Sequence, residues 1–369
     1  MQYFFYFLLA AAFALLLTPL VKILAIKTRT LDIPSVPRKI HTQPTPLLGG
    51  LAVFLAFLAA LAIYLQFGSL DFNIIPKKFF LAIILGGAVL ILGGSLDDKY
   101  DIPPKIQWLF PALASLIIIG SGIGVGIKYL SNPFGDPISL NYILLGIPLS
   151  GIVMWLWMMG MIFTTKFLDG LDGLCAGISL IGGLTLFALS ITTRINQPMT
   201  ASLAIIFCGA LFGFLVYAFN PASIFLGEGG STLCGFMLGV LAIVLGGKIA
   251  TALLVMGIPI LDVAWVIVRR LWYRSSPFRA DRKHLHFRLL DLGFSQRQTV
   301  LILYAISAVF GFTAVFLQSF GKLIALIILF CLMLALAISV VIFYKRQHPH
   351  IPDLFDYPDD KPVDDNLKS

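Results

Sequence analysis

The chain of 369 residues is 59% hydrophobic and only 12% charged, with a mean hydropathy of +0.96. Soluble domains carry about 25% charged residues, so these values exclude a soluble globular protein and indicate a polytopic membrane protein. The net charge of +8 fits loops that face anionic lipid, and no nucleic-acid partner is expected.

A membrane span needs about 20 apolar residues. On that basis the chain divides into spans at 3–26, 48–66, 79–96, 106–127, 142–164, 174–193, 201–219, 232–247, 249–272, 298–318 and 322–344. The expected fold class is all-α, a polytopic membrane bundle of about eleven transmembrane helices. Residues 3–21 read as a retained span, because the first cation is Lys22 and no basic segment precedes them. The membrane domain covers 1–344. The Pro-rich, acidic stretch 345–369 reads as a polar tail, expected to be disordered.

Orientation follows from the cations. Nineteen of the 26 Lys and Arg residues fall in one set of loops and six in the other. The richer side is assigned to the cytoplasm. That places the N-terminus outside and the C-terminus inside, as an odd number of spans requires. Cys175, Cys208, Cys234 and Cys331 show no metal or disulfide spacing and read as reduced packing residues.

Every acidic cluster lies in the cation-rich loops. The first of these loops runs from Asp32 through His41 to Gly49-Gly50, which opens the second span. The two glycines either bare amides for an anion or permit close helix packing. Asp97, Asp98 and Asp101 end the third span before Pro103-Pro104. Acids at a helix C-terminus oppose the dipole, so a divalent cation or a bound proton would relieve them. Mg²⁺ suits such a place, since it takes one or two carboxylates with waters and substrate phosphates.

Lys166-Phe-Leu-Asp169-Gly-Leu-Asp172-Gly173 sits between the fifth and sixth spans. Ionised carboxylates at membrane depth cost roughly 2.5–3.5 kcal/mol, so two of them point to a site; Asp172 alone could cap the sixth span. Asn220-Pro221 leads into Gly227-Glu228-Gly-Gly-Ser231. Here Ser231 can N-cap the eighth span and Glu228 is placed to hold the metal.

Asp262 lies inside the ninth span, where an acid is either functional or paired with a basic residue. His284, His286 and Arg288 follow in the largest loop and suit diphosphate contacts; the alternative is a basic helix lying on lipid.

These patches, in this order, resemble the polyprenyl-phosphate N-acetylhexosamine-1-phosphate transferases, over roughly residues 27–300. Asp97-Asp98-x-x-Asp101 is similar to that family's DDxxD, and Asp169-Gly-x-Asp172-Gly-Leu to its DGxDGL. The segment from Asn220 to Ser231 is similar to its N-P-A-x-I-F-x-G-D-x-G-S. His284-Leu-His286 follows its HxHH, and the stretch from His41 to Gly50 its H-x-x-P-T-P-x-x-G-G. Four positions depart. Phe163 and Lys166 stand where the family usually has Asn, and Glu228 stands where it has Asp; in addition Phe287 replaces the last His.

The resemblance implies transfer of a sugar-1-phosphate from a UDP-N-acetylhexosamine, UDP-GlcNAc first, to undecaprenyl phosphate with release of UMP. This would begin a cell-envelope polysaccharide such as lipopolysaccharide or teichoic acid. It implies Mg²⁺, with Mn²⁺ as the alternative ion, and a multi-pass protein of the bacterial inner membrane with a cytoplasmic active site.

On this expectation Asp97 is the base and Asp98 assists the acceptor or metal. Glu228 is the leading metal ligand. Lys166, Asp169, Asp172 and Asn220 line the nucleotide side, and His284, His286 and Arg288 contact the diphosphate or sugar. A homodimer is a further expectation. The competing readings are a phospho-MurNAc-pentapeptide translocase, a transporter, and a paralogue weakened by its departures.

Overall fold

The computed structural model describes residues 1–34, 43–68, 76–123, 129–130, 132, 135–136, 138–144, 147–246, 248–272 and 284–347. His41, the stretch 273–283 and residues 348–369 of the expected tail lie outside the described residues.

Among the described residues the chain is mostly helical. The helices are α1 (Gln2–Lys27), α2 (Gly49–Phe67), α3 (Lys77–Tyr100), α4 (Pro104–Gln107), α5 (Leu109–Gly120), α6 (Leu149–Leu168) and α7 (Leu174–Ser190). They continue with α8 (Pro198–Ala218), α9 (Gly227–Val244), α10 (Ile249–Val255), α11 (Gly257–Trp272), α12 (Leu285–Asp291), α13 (Gln296–Phe316) and α14 (Ser319–Gln347). Three two-residue antiparallel pairs sit in the connections: β1 (Leu31–Asp32) with β2 (Thr45–Pro46), β3 (Tyr129–Leu130) with β4 (Ile138–Ser139), and β5 (Ile143–Leu144) with β6 (Ile147–Pro148).

Seven of these helices are long and apolar enough to cross a membrane: α1, α2, α3, α6, α8, α9 and α13. The pair α10 and α11 makes an eighth if taken as one bent span, and 104–120, 174–190 and 320–336 are shorter apolar helices. The protein is a polytopic helical membrane protein.

Several boundaries differ from the expected spans. The segment 249–272 is not one rod; α10 and the helix after it are bent by 82°. Pro259 accounts for the break, because its ring conflicts with the carbonyl four residues earlier, Val255, where α10 ends. The expected span 142–164 starts late, at Leu149, because the β5–β6 pair takes its first residues. The expected span 232–247 starts early, at Gly227, and this draws Glu228 and Ser231 into the helix.

Helices α8 and α9 form the centre and are buried along most of their length. Helices α1, α2 and α7 pack on α8, and α3 and α6 pack on α9. Lipid tails are as apolar as the side chains, so helix association here rests on close packing and small residues. Gly50 shows this directly, since a Cβ there would fall on the backbone of Gly230. The amides of Gly49 and Gly50 donate to the carbonyls of Phe225 (3.0 Å) and Leu226 (2.7 Å). Of the two expectations for these glycines, the packing one describes the structure; the amides are already engaged and do not face an anion.

Candidate active site

The ends of α3, α6 and α8 and the starts of α2, α7, α9 and α13 meet at one end of the bundle. Helix α3 stops there because Asp101 adopts a left-handed conformation (φ 50°) and Pro103-Pro104 follow. Asp101 is exposed, and its amide closes on the Asp97 carbonyl at 2.9 Å. Its place is that of a helix stop.

The polar centre is a chain of contacts between three distant segments. The Lys166 Nζ lies 2.6 Å from Glu228 Oε1 and donates to Gln107 Oε1 at 2.9 Å. Gln107 Nε2 in turn donates to Asp97 Oδ1 at 2.9 Å and to the Ile102 carbonyl at 2.8 Å. The Ile102 amide also donates to Asp97 Oδ1, at 2.9 Å. These partners orient the Gln107 amide, since the reversed amide would turn its NH₂ towards the ammonium. A small cavity beside this chain is lined by Asp97, Gln107 and Glu228 at its polar end and by Leu90, Phe110 and Pro111 at its apolar end.

Gln107 was absent from the expected site. Its signal was a single amide opening an apolar run, three residues after Pro103-Pro104 and at the far end of one short helix from the acids.

Asp98 and Glu228 are joined through the backbone. Both Asp98 oxygens accept the Glu228 N–H, at 3.0 and 3.2 Å. Gly227 makes this approach possible: its φ is +75°, and a Cβ there would crowd Asp98 Oδ2. Ser231 does not cap α9. The helix begins four residues earlier, and the Ser231 hydroxyl donates back to the Glu228 carbonyl at 3.1 Å. The expectation of Ser231 as an N-cap is corrected by that earlier start, which puts the Glu228 carboxylate in the first turn, where the helix dipole favours it.

Asp169 follows α6 as its C-cap. Removal from water, reinforced by the charges of Glu228 and Asp172, raises its carboxyl to about 8. Asp172 is tied elsewhere. Its Oδ2 accepts from Asn220 Nδ2 at 2.8 Å and from the Ala222 amide at 3.0 Å. Asn220 Nδ2 also donates to Gln296 Oε1 at 2.7 Å, and Arg297 Nε donates to the Asn220 carbonyl at 2.9 Å. Asp172 and Asn220 therefore fasten the α6–α7 turn to the α8–α9 connection and the start of α13. That start carries a complete capping box between Ser295 and Gln298.

The histidines form the third side. Asp262 pairs with His284, Oδ2 to Nδ1 at 2.8 Å, and its Oδ1 accepts the Leu285 amide at 2.8 Å. Asp262 thus holds the His284 ring and the first amide of α12. The rings of Phe167, His284 and His286 stack in series, with centroid separations of 6.3 and 5.5 Å. His286 Nε2 is buried, has no partner among the described residues, and lies where a Cβ on Gly170 would be. Burial pushes the His286 imidazole down to about 3; the Asp262 charge opposes this and the His284 charge adds to it. Arg288 is buried nearby on α12.

No three His, Cys, Asp or Glu side chains gather tightly enough to enclose a metal among the described residues. Mg²⁺ asks for less, one or two carboxylates with waters and phosphates. Asp98 and Glu228 supply such a pair, provided Lys166 releases Glu228 or leaves its second oxygen free. The residues thus fit an open site for a hard divalent ion, with a built-in competitor.

The family model described as Glycosyl transferase family 4 matches residues 80–246. That stretch holds Asp97, Asp98, Lys166, Asp169, Asp172, Asn220 and Glu228. The chain is 31% identical over 339 residues to a Bacillus subtilis (strain 168) protein named probable undecaprenyl-phosphate N-acetylglucosaminyl 1-phosphate transferase. This similarity spans 90% of this chain and 89% of that protein. It is 30% identical over 331 residues to the decaprenyl-phosphate N-acetylglucosaminephosphotransferase of Mycolicibacterium smegmatis (strain ATCC 700084 / mc(2)155), covering 83% and 80% of the two chains. It is also 28% identical over 325 residues to a Thermotoga maritima protein named undecaprenyl-phosphate alpha-N-acetylglucosaminyl 1-phosphate transferase, covering 88% and 94%. With this similarity running through nearly the whole length, and with the motif residues gathered at one end of the bundle, the chain belongs to glycosyl transferase family 4, the polyprenyl-phosphate N-acetylhexosamine-1-phosphate transferases.

Proposed function

We propose that this protein transfers a sugar-1-phosphate, GlcNAc-1-phosphate in the first instance, from its UDP derivative to undecaprenyl phosphate and releases UMP. The observation that carries the reading is the meeting of Asp97, Gln107, Lys166 and Glu228 at one end of the bundle, with Asp98 bound to the Glu228 backbone. The names of the relatives support the same reaction.

An oxygen of the lipid phosphate attacks the sugar-bearing phosphorus, and the bond to UMP breaks as the new diphosphate bond forms. The work of such a site is positioning and charge stabilisation. Asp97 has one oxygen held by Ile102 and Gln107, which leaves the other to keep the acceptor phosphate free of its proton. Leu90, Phe110 and Pro111 beside it give the first isoprene units an apolar wall. Lys166 reaches the donor diphosphate as a mobile point charge. His286, against Gly170 of the Asp169–Gly173 turn, and Arg288 on the same short helix line the donor side. Glu228 and Asp98 would hold Mg²⁺, or Mn²⁺ in its place, which when bound neutralises charge on the diphosphate.

The eleven-span arrangement, with the N-terminus outside and this site in the cytoplasm of a bacterial inner membrane, belongs to the same proposal. It rests on the distribution of cations. A transporter would bind solute near the middle of the bilayer, whereas these charges sit at helix ends.

The test is a cell-free assay with labelled UDP-GlcNAc, undecaprenyl phosphate and Mg²⁺. The expected result is a labelled lipid diphosphate together with UMP. Formation of product only from UDP-MurNAc-pentapeptide would assign the translocase activity instead. No lipid product from any UDP-N-acetylhexosamine overturns the reading.

A further inference from the structure

Lys166 has an unusual setting for a cation beside acids. Its ammonium has three protons, and the structure accounts for two acceptors, Glu228 Oε1 at 2.6 Å and Gln107 Oε1 at 2.9 Å. The Phe163 ring lies 5.9 Å from the same nitrogen, one turn back on α6. Phe163, Lys166 and Glu228 are three of the positions at which this chain departs from the pattern it resembles. In the structure they are neighbours, so the three exchanges form one physical unit, a held ammonium against a longer-armed carboxylate.

We propose that Lys166 is a resident cation of the carboxylate cluster, occupying the Glu228 oxygen that a divalent ion would take and lowering the affinity of this site for such ions. The inference rests on the reading of the site as a phosphate-transfer centre that uses Asp98 and Glu228 for a divalent ion. A Mg²⁺ ion sits 2.0–2.1 Å from its oxygens. Placed on Glu228 Oε1 with the ammonium still at 2.6 Å, it would stand about 4 Å from a second positive charge in a poorly solvated setting. The ion must therefore displace Lys166, or bind through the other oxygen against its repulsion.

Lys166 cannot make up the whole charge. Asp97 and Glu228 both act on Asp98, and Asp97 acts on Glu228, so with these carboxylates ionised one ammonium leaves the group negative overall. The cluster therefore still attracts a cation, but the lysine makes binding conditional. A phosphate-bearing substrate changes the balance, because it offers the ammonium an alternative partner and frees Glu228. Divalent-ion binding and donor binding are thereby coupled through a single side chain.

The experiment uses the full chain in detergent or nanodiscs, without UDP-sugar or lipid acceptor, and reads Mn²⁺ binding from the spin-resonance signal of the free ion. Lys166→Gln removes the charge and keeps a hydrogen-bonding group; Lys166→Arg keeps the charge. Lys166→Gln should bind Mn²⁺ at least about tenfold more tightly than the wild type, a factor that one neighbouring charge readily supplies. Lys166→Arg should stay close to the wild type. If Lys166→Gln fails to fold, Lys166→Met carries the same expectation.

Unchanged or weaker Mn²⁺ binding in the uncharged variants overturns the proposal, as does equal tightening in Lys166→Arg. Since no turnover is measured, failure of this inference leaves the transferase reading standing. Conversely, an inactive protein that tightens on Mn²⁺ retains this inference and loses the other.

Discussion

Asp98 and Glu228 meet across 130 residues of sequence, with both carboxylate oxygens of Asp98 on the backbone N–H of Glu228. This contact anchors the start of α9 to the end of α3. Asp98→Ala should leave the Glu228 amide without its partner and lower stability by about 1–3 kcal/mol. Asp98→Asn keeps an oxygen that can accept that N–H, so its thermal unfolding should stay near the wild type while turnover falls at least about a hundredfold. Unfolding midpoints and the lipid-product assay, run on both variants, separate the anchoring role from the chemical one.

Gln107 holds Asp97 on one side and Lys166 on the other. Gln107→Leu keeps the volume and removes both bonds. As a positioning residue it should lower kcat by about ten- to a hundredfold with a much smaller change in the donor KM. Equal kcat in Gln107→Leu and wild type would show that Asp97 needs no such support.

Gly50 and Gly160 make a matched pair. Adding a methyl at Gly50 drives it into the Gly230 backbone, whereas at Gly160 nothing lies within 4 Å. Gly50→Ala should destabilise by at least about 1–3 kcal/mol, or prevent insertion of the folded protein. Gly160→Ala should be neutral or slightly stabilising, since alanine is the better helix former. Thermal denaturation in the same detergent gives the comparison.

His286 makes stability depend on pH. Its imidazole is held at about 3 in the folded chain against an ordinary 6.5. On acidification the unfolded chain therefore takes up this proton first. Stability is fully present above about 6.5 and is lost progressively as the pH falls towards 3. His286→Gln cannot take up that proton, so its unfolding midpoint should fall less steeply than that of the wild type over this range. Parallel curves for the two proteins would show that His286 is not buried in neutral form.

Much of the protein was legible from composition and order alone. Long apolar runs with rare charges can only be membrane helices, because a bilayer offers no water to satisfy backbone or charge. For the same reason Asp97, Asp98, Lys166, Asp169, Glu228 and Asp262 stood out, since an ionisable group at membrane depth is too costly to persist without a partner. Helix stops at Pro103-Pro104 were readable from local sterics.

Partnership was decided by the tertiary fold. Nothing in the local sequence indicates that Lys166 chooses Glu228 and Gln107, that Asp172 is spent on Asn220, or that Asp262 takes His284. Each pairing joins segments that only three-dimensional packing brings together, and a carboxylate reads the same in a linear chain whether it will meet an amide, an ammonium or an imidazole. The start of α9 shows the same limit on a smaller scale. Ser231 has the local chemistry of a cap, yet the helix begins at Gly227, because the Asp98 carboxylate from α3 supplies acceptors for the Glu228 amide. Burial costs and chain stiffness act on each residue where it stands in the chain; which acid meets which base is set by how the helices stack.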